Sequence, residues 1–392
     1  MARLPETREM IRTLVGTPSI SSTDPEIDQS NHGVVQALAG WAEGAGFEVE
    51  VLPVPGVPGK HNLLASLGPR GEGGPAGLVL SGHTDTVPCD PARWRTDPFE
   101  ATELEGRIYG LGTADMKSFL ALALEAASAF DPADLGSPLV LIGTADEECT
   151  MSGARALRDA GRAPGRRVII GEPTDLCPVV AHKGILMRAI HVLGRSGHSS
   201  DPSLGANAIE GMHRVLGALL AYREELGRAH RDERFGVPVP TLNPGRIRGG
   251  DAPNRICAHC VLEIDLRPLP GMDLLELGAA MQSRVAAALE GTELGHRVEA
   301  LFEGVPPFEA PPDSELARLA EGWTGREARA VAFGTEAPFF AELGMETVIL
   351  GPGSIDVAHQ PDEYLPVESM PATVALLREA ITRFCVQPGV AP

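Results

Sequence analysis

Histidines and carboxylates recur in this sequence at one kind of place, where a short apolar run ends in glycine. His83 closes LVLSGH at 78–83 and Asp85 follows it, while Glu147 and Glu148 close LVLIGTADEE at 139–148. Glu172 closes VIIGE at 168–172, His359 comes after VILGPG at 348–353, and Asp115 lies in YGLGTADMK just before a helical pattern. Imidazole nitrogen with carboxylate oxygen is the donor set that suits zinc, with cobalt and manganese as close competitors. Two ions close together need a shared carboxylate and terminal ligands on each side. His83, Asp115, Glu148, Glu172 and His359 supply enough groups for one bridge and two pairs. Adjacent side chains on a turning backbone point different ways. Of Glu147 and Glu148, one can therefore bind metal while the other faces a water as general base. Asp85, two residues after His83, is expected to accept the imidazole N–H on its carboxylate and fix the ring tautomer.

Taken singly, each residue also has an ordinary explanation. A histidine after a strand is commonly a hydrogen-bonded turn residue. Asp115 fits a helix N-cap, Asp85 a turn former, and Glu148 and Glu172 solvated acids. The joint pattern is what points to metal, because the sites share one strand grammar.

The elements that must position these groups can be read from the same runs. Short apolar segments bounded by glycine are buried strands, and helical patterns lie between them, among them MKSFLALALEAASAF and ESMPATVALLREAITRF. Strands alternating with helices imply an α/β fold built on a mixed, mostly parallel sheet flanked by helices. From about residue 182 the texture changes to strand (GILMRAIHVLG), helix (NAIEGMHRVLGALLAYREEL), two strands, helix and strand, a smaller α+β unit of βαββαβ order. The Pro-rich stretch EGVPPFEAPPD at 303–313 reads as the return. The expected divisions are 1–181, an inserted 182–302, and 303–392, consistent with the 392-residue length.

The 53 Asp and Glu against 33 Lys and Arg, a net charge of −20, argue against a nucleic-acid partner. No apolar stretch is long enough to span a membrane, and MARLPETREM lacks a signal-peptide core, so a cytoplasmic protein with no membrane partner is expected. The 6 cysteines are scattered and are expected to be reduced. Cys257 and Cys260 form a C-x-x-C pair within NRICAHCVLEIDLR. On a strand, residues three apart face opposite ways, so the pair is read as structural.

The segments SGHTDTVP, YGLGTADMK, TADEE, IIGEPTDL, GRSGHSSDP, GGDAPNRICAHC, DLRPLPGM, GTEAPF and GPGSIDVAHQPDEYL, in this order, resemble those of the two-zinc aminoacylase and carboxypeptidase superfamily, most closely its acetylornithine deacetylases. The resemblance implies that Asp115 bridges two metals, that His83 and Glu172 complete one site and Glu148 and His359 the other, and that Glu147 is the acid/base. It also implies an inserted lid and dimerisation domain in a homodimer. There the residue matching His198 crosses the interface to stabilise an oxyanion, and Asn254 and Arg267 hold the carboxylate of a small N-acyl amino acid. Thr335 and Glu336 match the deacetylase signature and could line the side-chain pocket, with Glu336 attracting an ornithine ammonium. Without the resemblance, His198 reads as a turn residue, Asn254 as a strand-end cap, Arg267 as a solvent-facing charge, and GTEAPF as a structural turn. Ser118, where relatives usually carry Gly, and the ECTMSGA stretch depart from the pattern, and neither removes a ligand. The implied reaction is removal of the acyl group from N2-acetyl-L-ornithine. Succinyl-diaminopimelate, acetylcitrulline, and general N-acyl amino acids or dipeptides are the nearest alternatives, and a silent small-amide binder is the non-enzymatic one.

Overall fold

The structure is a computed structural model that describes residues 4–69 and 77–386. The chain forms two compact units. One holds the described residues through Val180 together with Ala310–Arg329 and those from Thr335 on, and the other holds Ala181–Glu309 and Ala330–Gly334. The second unit therefore runs past residue 302, and Phe308–Glu309, inside the stretch expected as a linker, is a short strand paired with Ala181–His182.

In the first unit the strands lie side by side in the order Glu48–Pro53, His61–Leu67, Leu139–Thr144, Leu78–His83, Arg167–Ile170, Glu346–Ile349, Val179–His182. Leu78–His83 pairs in parallel with both neighbours, and Arg167–Ile170 pairs in parallel with Glu346–Ile349, whereas the outer pairings are antiparallel. The sheet is thus mixed, with its parallel part confined to the centre. Leu78–His83 and Leu139–Thr144 are buried at every position, the pattern of strands covered on both faces. The registers place His83 opposite Thr144, and Ser81 opposite Ile170. The loops that follow these strands therefore emerge at one sheet edge, where open α/β sheets gather their ligands.

The helix Lys117–Ala127 is buried nearly all round and packs on Leu78–His83 and on the helices Thr7–Val15 and Ser369–Cys385. The glycines that end the strands permit close approach. A Cβ on Gly171 would lie 2.0 Å from the Phe119 ring, and one on Gly351 would lie 2.2 Å from the Gly171 carbonyl oxygen. A small three-stranded sheet pairs Tyr364–Pro366 with Arg107–Tyr109, and the latter with Thr102–Leu104.

The second unit is a four-stranded antiparallel sheet in the order Thr241–Gly249, His259–Arg267, Leu186–Leu193, Gly295–Ala300, with two helices, Ala208–Ala229 and Leu274–Leu289, packed on it. Along His259–Arg267, Cys260, Leu262, Ile264 and Leu266 alternate into the core. Leu277, Met281, Val285 and Leu289 meet them at helical spacing. The helices are capped by Asn207, which accepts the Ile209 N–H, and by Asp273, which accepts those of Leu275 and Glu276.

The cysteine pair departs from the sequence reading in one respect. The strand begins only at His259, so Cys257 precedes it and is free of the alternation rule. Both thiols are buried in the same apolar cluster, not on opposite faces. Cys257 Sγ donates to the carbonyl of His259, and the pair remains a packing feature. Among the described residues no helix is long and apolar enough to cross a membrane.

Candidate metal centre

His83 ends the central strand with its ring wholly buried. Its Nε2 lies 2.9 Å from Asp115 Oδ1 and its Nδ1 lies 3.0 Å from the backbone carbonyl oxygen of Asp85. An acceptor opposite each ring nitrogen requires a proton, or another cation, between Nε2 and Asp115. Burial pulls the imidazole pKa down. The hydrogen bond and charge of Asp115, with the charges of Glu147 and Asp85, outweigh that and hold it well above the ordinary histidine value.

Asp115 precedes the helix Lys117–Ala127 without capping it, since Met116 occupies the N-cap. Its two oxygens go to two histidines, Oδ1 to His83 and Oδ2 to His359 Nε2 at 3.3 Å. Burial pushes its pKa up, but the hydrogen bonds from His359 and His83 win, and the carboxyl stays well below the usual range. His359 has left-handed backbone, φ 58°, and its Nε2 also lies 3.0 Å from Glu148 Oε1. Hydrogen bonds donated to Asp115 and Glu148 raise its pKa to about 11. Burial, then the charge of Asp115, raises that of Glu148.

Glu147 and Glu172 are buried beside this group, 8% and 5% exposed. Burial raises both well above the ordinary carboxylate value, aided by the charge of Glu172 on Glu147 and of Asp115 on Glu172. Glu172 Oε1 has no hydrogen-bond partner among the described residues. An orphaned buried carboxylate oxygen costs several kcal/mol unless a cation meets it. His83, Asp115 and Glu148 each offer one ligand atom within 4.8 Å of the others, and so do His83, Glu147 and Glu172. The two groups share His83, and their nitrogen and oxygen donors are of the kind that a divalent cation such as zinc accepts.

The expectation for Asp85 is corrected. Its carbonyl oxygen, not its carboxylate, faces His83 Nδ1, and the carboxylate is 3.8 Å from that nitrogen. The carboxylate accepts instead from the backbone N–H groups of Glu147, at Oδ1, and Glu148, at Oδ2, both at 3.2 Å. The backbone lies two residues from the imidazole in either case, and the turn after Leu139–Thr144 offers donors that the sequence does not reveal. The Asp85 side chain thus fixes the paired glutamates, and its backbone carbonyl meets the ring.

Thr335 and Glu336 lie at the start of the helix Ala337–Glu342 and are buried. Thr335 Oγ1 accepts the Ala337 N–H, and Glu336 Oε2 accepts the Thr144 hydroxyl at 2.8 Å. Burial pushes the Glu336 pKa up to about 7. His198, Asn254 and Arg267 belong to the second unit. His198 is exposed, with Nδ1 2.7 Å from Ser200 Oγ, the Asn254 carbonyl accepts the Ser199 N–H, and Arg267 Nε donates to Asp265.

One residue passed over in the sequence is Glu363, 1% exposed, whose carboxylate accepts three backbone N–H groups around Asp115. Burial, then the charge of Asp115, raises its pKa to about 8 against those donors. Its only signal was its place in PDEYL, four residues beyond His359.

The sequence profile of peptidase family M20/M25/M40 matches residues 79–383. Among solved structures, a tripeptidase from Staphylococcus aureus superposes with a TM-score of 0.75 at 21% identity, covering 96% of this chain and 97% of that one. An M20 family metallo-carboxypeptidase from Sulfolobus solfataricus gives 0.75 at 18% identity, covering 97% and 99%. A peptidase of the same family from Bacillus subtilis, described as dinuclear metal binding, gives 0.66 at 14%, covering 96% and 97%. At these identities the likeness establishes the fold.

Proposed function

The chain belongs to peptidase family M20/M25/M40, and from that premise we propose that it is a two-metal amidohydrolase that removes the acyl group from a small N-acyl amino acid, with N2-acetyl-L-ornithine the favoured substrate. The observation that carries the reading is Asp115, one oxygen turned to each of two histidines. His83, Asp115 and Glu172 would hold one ion, and Asp115, Glu148 and His359 would hold the other. Zinc is the expected metal and cobalt a substitute.

Bound divalent ions supply Lewis acidity and lower the pKa of water at the site. The chain's own residues do the rest. Glu147 takes the proton of the attacking water and returns it to the departing amine, a role suited to a buried carboxylate whose pKa lies above the ordinary range. Asp85 holds Glu147 and Glu148 by their backbone, so the base and its neighbouring ligand keep a fixed spacing. His198 stabilises the oxyanion of the tetrahedral intermediate, and Asn254 and Arg267 grip the substrate carboxylate. The protein acts as a cytoplasmic homodimer in which His198 serves the partner's site.

Metal uptake is expected to release protons. His83 and His359 have raised pKa values, so at neutral pH the metal-free imidazoles are protonated, and a ligand must be deprotonated. Raised values at Glu148 and Glu172 act in the same direction. Affinity should therefore rise with pH. Zinc titration calorimetry in two buffers of different ionisation enthalpy should give different heats, and buffer-independent heats would contradict this protonation pattern.

Substrate choice is tested by an amine-release assay on acetylornithine, succinyl-diaminopimelate, acetylmethionine and a dipeptide, with zinc or cobalt supplied. Acetylornithine should give the highest kcat/KM. A dipeptide ranking first would move the chain to the peptidase branch of its family, and no hydrolysis of any amide would favour a silent binding protein.

A further inference from the structure

Glu363 is a buried acid whose hydrogen bonds among the described residues go to no histidine, yet the backbone carrying Asp115 is wrapped around it. Its Oε1 accepts from the N–H groups of Ala114 at 2.8 Å and Asp115 at 3.0 Å, and its Oε2 accepts from Gly112 at 3.2 Å. The Glu363 carbonyl oxygen receives the Gly110 N–H at 3.0 Å. Gly112 has φ 81°, in the left-handed region, and a Cβ there would meet Thr86 Cγ2 at 2.9 Å, so the loop is shaped to aim its amides inward. Glu363 is itself fixed by the strand Tyr364–Pro366, paired with Arg107–Tyr109. One short segment therefore delivers His359 to one oxygen of Asp115 and, four residues later, grips the main chain of that same aspartate.

We propose that Glu363 is a positioning residue of the metal centre: by gathering the N–H groups of Gly112, Ala114 and Asp115 on its carboxylate, it sets the Asp115 side chain midway between His83 and His359. The inference rests on the two-metal reading. It assigns a task that neither the ligands nor Glu147 performs. Asp85 does the same for Glu147 and Glu148, so ligand-bearing turns are held twice by buried carboxylates on neighbouring strand ends. A plainer account is that Glu363 only needs donors because it is buried. The two accounts differ in what happens to metal affinity when the carboxyl is replaced by an amide and the fold is kept.

The test uses the full chain, with zinc as the probe in competition with a chromogenic chelator. Circular dichroism and the thermal midpoint of the metal-free protein are recorded alongside. In Glu363→Gln one acceptor becomes an NH2 group opposed to a backbone N–H, and the remaining acceptor is neutral and weaker. Zinc affinity should fall about 10–100-fold, the range for disturbing groups that orient ligands, while the metal-free midpoint falls by no more than one opposed buried donor pair accounts for. Glu363→Asp, which keeps the charge on a shorter stem, should recover part of the loss, and it decides the matter if the glutamine variant does not fold. Equal zinc affinity in wild type and variant overturns the proposal. So does a loss that aspartate does not recover in any part. A wild-type protein that takes up no zinc overturns the two-metal reading itself, and is seen before any variant is made.

Discussion

Glu147→Gln should retain its metals and lose about 10²–10⁴-fold in kcat, with KM changed little, because the substitution keeps the shape and removes the proton acceptor. The backbone bond from Glu147 N–H to Asp85 survives the change, so the turn that also carries Glu148 stays in place. Burial and the neighbouring charge of Glu172 raise the pKa of this carboxylate in the metal-free protein. The measurement pairs amine release with metal content by elemental analysis. The structure makes the metal content informative, because Glu147 also stands within ligand distance of His83 and Glu172. Full metal content with turnover lost identifies a base. Metal lost together with turnover identifies a ligand, and near-normal kcat removes Glu147 from the chemistry.

Asp115→Asn should be the most damaging single change, since one carboxylate serves two histidines. Its oxygens lie 2.9 Å from His83 Nε2 and 3.3 Å from His359 Nε2, and asparagine offers an oxygen to only one of them. Bound metal should fall from two ions per chain to one or none, and kcat should drop on the order of 10³-fold or more, the equivalent of several kcal/mol of barrier. Elemental analysis after gel filtration and the amine-release assay read the two effects. A variant that keeps two ions per chain would mean that another group bridges them, and the shared-carboxylate reading would fall. The substitution also removes the charge that keeps His83 protonated in the metal-free protein, so its proton release on zinc binding should shrink relative to wild type.

Much of this was legible in the amino-acid order. The four apolar runs became the strands Leu78–His83, Leu139–Thr144, Arg167–Ile170 and Glu346–Ile349, all four in the parallel centre of the sheet, with His83 the last residue of its strand and Glu148, Glu172 and His359 in the segments that follow the others. The reason is that a strand covered on both faces must be apolar throughout, and a ligand must wait until the strand leaves the layer. The helical stretches and the βαββαβ order of the second unit were readable for the same kind of reason, from periodicity alone.

Hydrogen bonding between distant turns was not legible. That the Asp85 carboxylate takes the amides of Glu147 and Glu148, while its carbonyl faces His83, depends on how two strand ends are turned toward one another, and no spacing rule encodes that. Glu363 looked like one acid in a motif until the three-stranded sheet brought it under the Asp115 loop. Nor did the sequence signal that Glu336, at the start of the helix Ala337–Glu342, accepts the hydroxyl of Thr144 at the end of the strand Leu139–Thr144. Cys257 and Cys260 were assigned to opposite faces because the strand was started too early, and its first residue was set by pairing with Leu193, a partner outside the local sequence. By itself the sequence determined which residues are chemically equipped and which elements carry them, because side-chain type and periodicity are local. Only the tertiary structure decided which oxygen meets which donor, because those contacts are made between turns far apart along the chain.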